Sequence, residues 1–212
     1  MSYFSALSQS NYSILSPFKV MVSHSCNYSI ISHKDYLEGE KVSQIKHEYI
    51  RGEVYAMVGG SKAHDTISLN LLSLLRNHVR GSGCRVHTGD LKVYIEAADV
   101  YYYPDALVTC DQRDITSPED YFIRYPRLVV EVLSPSTEAF NRGNKFADYR
   151  QIETLEEYVL ISQDQINVEC FRRNEEGRWV LYPYSKEDEL ELASIGFKCA
   201  IIELYEDVLG LN

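Results

Sequence analysis

Two acids in this chain stand where acids are costly. Asp105 falls within YYYPDALVTC, a stretch whose other positions suit a strand, and Glu131 falls inside LVVEVL, which otherwise reads as a fully buried strand. An ionised carboxylate in such a place needs a cationic partner. If the two strands are neighbours and both carboxylates share a face, they form a hard-oxygen site suited to Mg²⁺ or Mn²⁺. The alternative is that each acid is paired with an arginine for structural reasons. The residues alone leave both open.

Cations follow in FNRGNKFADYRQI, where Arg142, Lys145 and Tyr149 sit at i, i+3 and i+7. They share one face if an α-helix runs through all three, and only a short Ser-Pro-Ser-Thr connection separates them from the Glu131 strand. Two acids and a lysine-bearing face can therefore converge; a solvated helix face is the bland account. Ser134 and Ser136 have no base paired with them in sequence, so they read as turn and capping residues. G-x-x-x-x-G-K-[ST], G-x-G-x-x-G after a strand, G-x-S-x-G and H-E-x-x-H do not occur. The His47-Glu48 pair has Arg51 where the second histidine would stand. Nucleotide-dependent transfer, α/β-hydrolase chemistry and zincin proteolysis lose their basis.

The elements that would position these residues can be read from period and punctuation. Ser32 and Asp35 have capping-box spacing and open a short helix through Leu37. HEYIRGEVYAMV reads as a hairpin over Glu48–Met57, turning at Arg51-Gly52. Asp65 caps a helix whose Ile67, Leu71, Leu74 and Leu75 keep helical spacing, ended near Gly81. Strands are predicted over Val86–Glu96, Tyr103–Cys110, Leu128–Leu133, Tyr158–Ile161, Val168–Arg172 and Trp179–Tyr184, with a helix around Lys145–Ile152. This order is an α/β sandwich or α+β domain with a mixed, centrally buried sheet, an N-terminal hairpin and extra C-terminal strands.

The chain has 212 residues, enough for one substantial core, so residues 31–212 are read as a single domain. Residues 1–30, with nine serines and Lys19 as the one charged residue, read as a poorly ordered leader, and Met21 is a candidate start. No run approaches a membrane span, and the N-terminus lacks the basic and apolar regions of a signal peptide, so a cytoplasmic protein is expected. Five widely spaced cysteines without a C-x-x-C pair argue against a disulfide framework or zinc ribbon. Net charge is −10, which by itself opposes nucleic-acid binding. Its distribution changes that reading: residues 1–152 hold 16 Lys/Arg against 17 Asp/Glu, and residues 153–212 hold 5 against 14. The first two-thirds can still carry a polyanion site, above all one whose carboxylates a metal neutralises.

Taken together, HEYIRGEVYAMVGGSKAH, YYYPD, LVVEVLSPST and NRGNKFADY resemble the Uma family of restriction-endonuclease-like proteins, within the PD-(D/E)XK nuclease superfamily. The similarity covers roughly residues 33–210. It implies a restriction-endonuclease-like αβββαβ core and Mg²⁺- or Mn²⁺-dependent cleavage of phosphodiesters, with DNA as the substrate. Position by position, Asp105 matches the Asp of PD and Glu131 the acid of (D/E)XK, the two metal-holding residues. Leu133 stands where that motif has its lysine, and Lys145 on the following helix matches the migrated one. Glu48 and His64 match further recurrent positions; bracing the hairpin and capping the helix are their structural alternatives. Asn141 departs from an Asp often found there, and Arg142 is a candidate phosphate contact. A homodimer is expected. The rival reading is a non-catalytic, dimeric binding or scaffold protein that keeps the nuclease fold, which the displaced lysine and the seventeen tyrosines would also suit. On the nuclease reading, Lys145→Ala is expected to cut the rate and leave folding nearly intact.

Overall fold

The computed structural model describes residues 30–118 and 121–211. The leader and the start at Met21 therefore lie outside the described residues, Ile30 apart. The chain forms α1 (His33–Val42), the hairpin β1 (His47–Ile50) and β2 (Glu53–Ala56), α2 (Lys62–His78), β3 (Arg85–Thr88), β4 (Lys92–Ile95), β5 (Val100–Tyr102) and β6 (Ala106–Thr109). Next come α3 (Gln112–Ile115), β7 (Phe122–Ile123), β8 (Pro126–Leu133), then α4 (Glu138–Phe140), a π turn over Asn141–Lys145 and α5 (Phe146–Tyr149). Strands β9 (Glu157–Ser162), β10 (Asn167–Arg173), β11 (Trp179–Ser185), β12 (Glu189–Leu192) and β13 (Phe197–Ala200) precede α6 (Ile201–Leu204).

Two sheets face each other. One has the order β2-β1-β5-β4-β7; the other has the order β11-β10-β9-β8-β6-β3 and is mixed, since β8 and β9 run parallel while its other pairs are antiparallel. A parallel pair needs a crossover, and α4, the π turn and α5 supply it. Side-chain alternation then sorts the core. Val130 and Val132 of β8 pack with Ile67, Leu71 and Leu75 of α2 on one face of the six-stranded sheet. Val129 and Leu133 point the other way, toward Val93, Val100, Tyr102 and Tyr149 between the sheets. Full burial of each aliphatic side chain contributes about 1.5–3 kcal/mol. Beyond the five-stranded sheet, Tyr36 of α1 packs with Tyr49, Tyr94, Tyr101 and Phe122. Much of the tyrosine content is thus core rather than interface.

Several boundaries differ from the sequence reading for local reasons. Helix α1 runs on to Val42, its polar turn held by a Lys41–Glu38 ion pair at 2.8 Å. Helix α2 starts before Asp65: Ser61 is the N-cap, accepting from the His64 N–H at 3.1 Å, and Asp65 lies in the first turn. The hairpin turn is as expected, with Arg51 at φ 51° and Gly52 at φ 92°, the left-handed pair a two-residue loop requires. The stretch Val86–Glu96 divides between the two sheets at Gly89-Asp90. Tyr103–Cys110 is strand only from Ala106, because the chain leaves β5 at Tyr102 and crosses to the other sheet at Pro104-Asp105, where proline has no N–H for a ladder. The cysteine expectation is corrected: Cys84 and Cys110 form a disulfide. They directly follow the β3–β6 register of Arg85 opposite Thr109, a non-local pairing that spacing in sequence does not reveal.

Candidate functional site

The β6–β8 register pairs Ala106 with Val130 and Leu107 with Val129, so the next pair along the ladder would set Asp105 opposite Glu131. Cross-strand partners share a face, and this one is the face of Val129 and Leu133, between the sheets. From the opposite sheet, Glu48 of β1 projects on the same side as Ile50, which also packs between the sheets. The crossover after β8 brings Lys145 into the gap. Its Nζ lies 2.9 Å from Glu131 Oε1 and 2.9 Å from Glu48 Oε1, and 5.3 Å from the centre of the Tyr102 ring. One buried ammonium therefore links carboxylates from two sheets.

Backbone donors fix the acids. The Tyr103 N–H donates to Glu48 Oε1 at 3.1 Å, and the Val132 N–H donates to Asp105 Oδ2 at 2.7 Å. His64 Nε2 stands 3.2 Å from the same Asp105 oxygen. Gly60 allows that ring position, because a Cβ there would lie 2.9 Å from His64 Nδ1. Tyr149 reaches Glu131 Oε1 at 3.4 Å. Glu48, His64, Asp105 and Lys145 border a cleft of about 790 Å³ also lined by Ser134, Ser136, Asn141 and Gln163, and Glu131 lies behind Lys145.

Lys145 and Tyr149 keep their expected common face; Arg142 does not join them. Its guanidinium binds Glu138 at 2.7 Å and also Glu169, away from the cleft lining. The π turn, which contains both positions, adds a residue to the helical turn, so the α-helical spacing that put Arg142 beside Lys145 no longer applies. Tyr103 and Val132 escaped the sequence reading because their contribution is a main-chain N–H, which side-chain identity cannot signal.

Three carboxylates, Glu48, Asp105 and Glu131, crowd one ammonium here, with His64 beside Asp105. Burial pushes the Glu131 carboxyl up to about 8, the nearby Asp105 and Glu48 charges adding to the rise and Lys145 opposing it. Burial alone would lower Lys145, but Glu131 and Glu48 outweigh it and hold the ammonium above its ordinary value. The hydrogen bond to Asp105 raises His64, against burial. Between their unfolded and folded values, Glu131 and His64 give the folded protein protons that the unfolded chain has released. Their stabilisation is therefore full below the unfolded values and is lost as pH rises through the folded ones. In EDTA, the melting temperature is expected to fall between about pH 5 and about pH 9, and Glu131→Gln to flatten that fall; an unchanged profile in the variant would remove Glu131 as its source.

The donor set fits a small divalent cation. Asp105 Oδ1 and Glu131 Oε2 take no hydrogen bond or ion pair from the described residues, and both are hard oxygens. Among the described residues no group of three His, Cys, Asp or Glu is gathered at ligand spacing. Mg²⁺ does not require one, since it is commonly held by one or two carboxylates with water and substrate phosphate completing the shell.

A family model described as "Uma2: Putative restriction endonuclease" matches residues 34–201. The chain is 43% identical over 187 residues to the uncharacterized protein slr1290 of Synechocystis sp., covering 87% of this chain and 97% of that protein. It is 31% identical over 152 residues to the uncharacterized protein sll1609 of the same organism, covering 72% and 86%. Its fold matches the crystal structure of "a putative nuclease belonging to DUF820" from Anabaena variabilis with a TM-score of 0.65 at 18% identity, covering 79% of this chain and 93% of that one. No helix among the described residues is long and apolar enough to cross a membrane.

Proposed function

Since the chain belongs to the Uma2 family and has a nuclease-like fold, we propose that it hydrolyses phosphodiester bonds of DNA with the aid of Mg²⁺ or Mn²⁺. The observation that carries the reading is the Glu48–Lys145–Glu131 bridge beside Asp105 at an open cleft. Asp105 and Glu131 would hold the cation. Such an ion supplies, when bound, Lewis acidity toward water and toward the phosphoryl oxygens.

The protein's own residues do the rest. Lys145 presents N–H donors to the charge that develops on the phosphoryl oxygens, and the flanking glutamates keep it protonated. Glu48 positions Lys145, and the Tyr103 N–H positions Glu48. His64 and the Val132 N–H hold one oxygen of Asp105, which turns the other outward. Arg142 has no part in this scheme.

The test is a cleavage assay on single- and double-stranded DNA and RNA with Mg²⁺ or Mn²⁺, beside Asp105→Ala. Metal-dependent cleavage that disappears in Asp105→Ala is expected. Cleavage persisting in Asp105→Ala would trace the activity to a contaminant, and an inert wild type would favour the scaffold reading.

A further inference from the structure

A second cleft of about 340 Å³ adjoins the first, sharing Gln44, Ile45, Lys46 and Tyr103 as wall. Three lysines line it: Lys41, Lys46 and Lys92. Lys92 is the unusual one. It is 5% exposed, and its ammonium has one hydrogen-bond partner among the described residues, the Tyr103 hydroxyl at 3.0 Å. An ammonium carries three donors, so two N–H groups are left for something in the cleft. Tyr103 in turn donates to Glu40 Oε2 at 2.7 Å, and Glu40 Oε1 lies 2.8 Å from His47 Nδ1, so the nearest acid is already engaged. The cleft's other acid, Asp90, meets Lys46 at 2.6 Å with its side chain 82% exposed. Lys41 is paired with Glu38 at 2.8 Å, so the charges around the cleft balance, and Lys92 is the ammonium in it with no carboxylate in direct contact among the described residues. Both Lys92 and Lys46 also lie over the Tyr103 ring, at 4.9 and 5.7 Å.

Resting on the nuclease reading above, we propose that this lysine cleft seats a backbone phosphate of the nucleic-acid strand next to the one presented to Asp105 and Glu131. Tyr103 supplies the link in space: its N–H holds Glu48 of the carboxylate cluster while its hydroxyl meets Lys92. A phosphate oxygen would satisfy the spare donors of Lys92 and offset its burial, which now pulls the amine below its ordinary value. Lys46, exposed at the mouth, would exchange Asp90 for the same phosphate or its neighbour. The cleft thereby holds the strand through its phosphate, with no reading of bases.

The experiment is a binding titration of a fluorescein-labelled DNA duplex, across a range of salt concentrations, on the Glu131→Gln background so that turnover cannot intervene. Lys92→Met keeps the volume and removes the buried charge. Lys46→Ala reports the same cleft from an exposed position if the core variant folds poorly, and Lys198→Met, whose lysine on β13 pairs with Glu189 and Glu191 of β12, controls for net charge. Lys92→Met and Lys46→Ala are each expected to weaken binding about fivefold or more and to reduce the salt slope by about one, with Lys198→Met changing neither. Binding and slope equal to the Lys198→Met control in both cleft variants would overturn the subsite and leave the nuclease reading to the Asp105→Ala assay. Lysine-dependent binding by a wild type that cleaves nothing would support the subsite and overturn the nuclease reading. Failure of every form to bind would overturn both.

Discussion

Glu131→Gln is expected to lower phosphodiester cleavage by about a thousandfold or more while leaving the metal-free protein as stable as wild type, or slightly more so. The two effects have one cause. The carboxyl is 3% exposed, and burial opposes its charge strongly enough to push it up to about 8. A carboxamide keeps the shape and can still accept from Lys145 through its oxygen, and Lys145 keeps its second partner, Glu48. Removing the charge thus relieves desolvation and repulsion from Asp105 without stranding a cation. Metal response goes the other way. Binding to the native state alone raises stability by RT ln(1 + [L]/Kd), about 2.7 kcal/mol at one hundred times Kd, and the variant, having lost an anionic ligand, should show little of it. Mg²⁺ and Mn²⁺ thermal-shift titrations of both proteins read the two signs together. A destabilised metal-free variant, with no metal response in the parent, would mean that the acids are architecture.

What could be seen in the sequence depended on whether the signal was local. Glu131 announced itself as an acid in an apolar strand, and Asp105 as an acid after a proline in a stretch of strand-forming residues; both observations need no knowledge of the fold. The helix of Ile67, Leu71 and Leu75 was equally plain from its period. The partition of strands between two sheets was not, because alternation of apolar residues continues across Gly89-Asp90 and Pro104 as if one strand followed another. Nor could local pattern show that Glu48 would meet Glu131 across the intersheet space, although resemblance to relatives marked its position. Arg142 shows the opposite failure: a correct helix with an assumed α period, undone by one π turn. The Cys84–Cys110 bond belongs with the register of β3 on β6, which is a tertiary fact.

Lys145→Ala is expected to lose about a hundred- to a thousandfold in kcat, the scale seen when one preorganised donor to developing charge is removed. The geometry also revises the expectation that this change would leave folding nearly intact. Lys145 is 4% exposed and lies 2.9 Å from each of two carboxylates, so its removal leaves Glu48 and Glu131 facing each other in a poorly solvated gap. Breaking a buried pair in this way costs about 3–5 kcal/mol. Protonation of Glu131 is the available relief, and losing Lys145, which holds that carboxyl down, raises it further, so the loss should be small in mild acid and grow with rising pH. Lys145→Arg should restore neither quantity in full, since a planar guanidinium replaces a compact ammonium fitted between two oxygens. The decisive comparison is the double variant Lys145→Met with Glu48→Gln. Removing one negative charge with the positive one should recover most of the melting temperature at neutral pH and none of the rate. Recovery of both would assign Lys145 a purely architectural role, because a group that acts on the transition state cannot be replaced by cancelling its counter-charge.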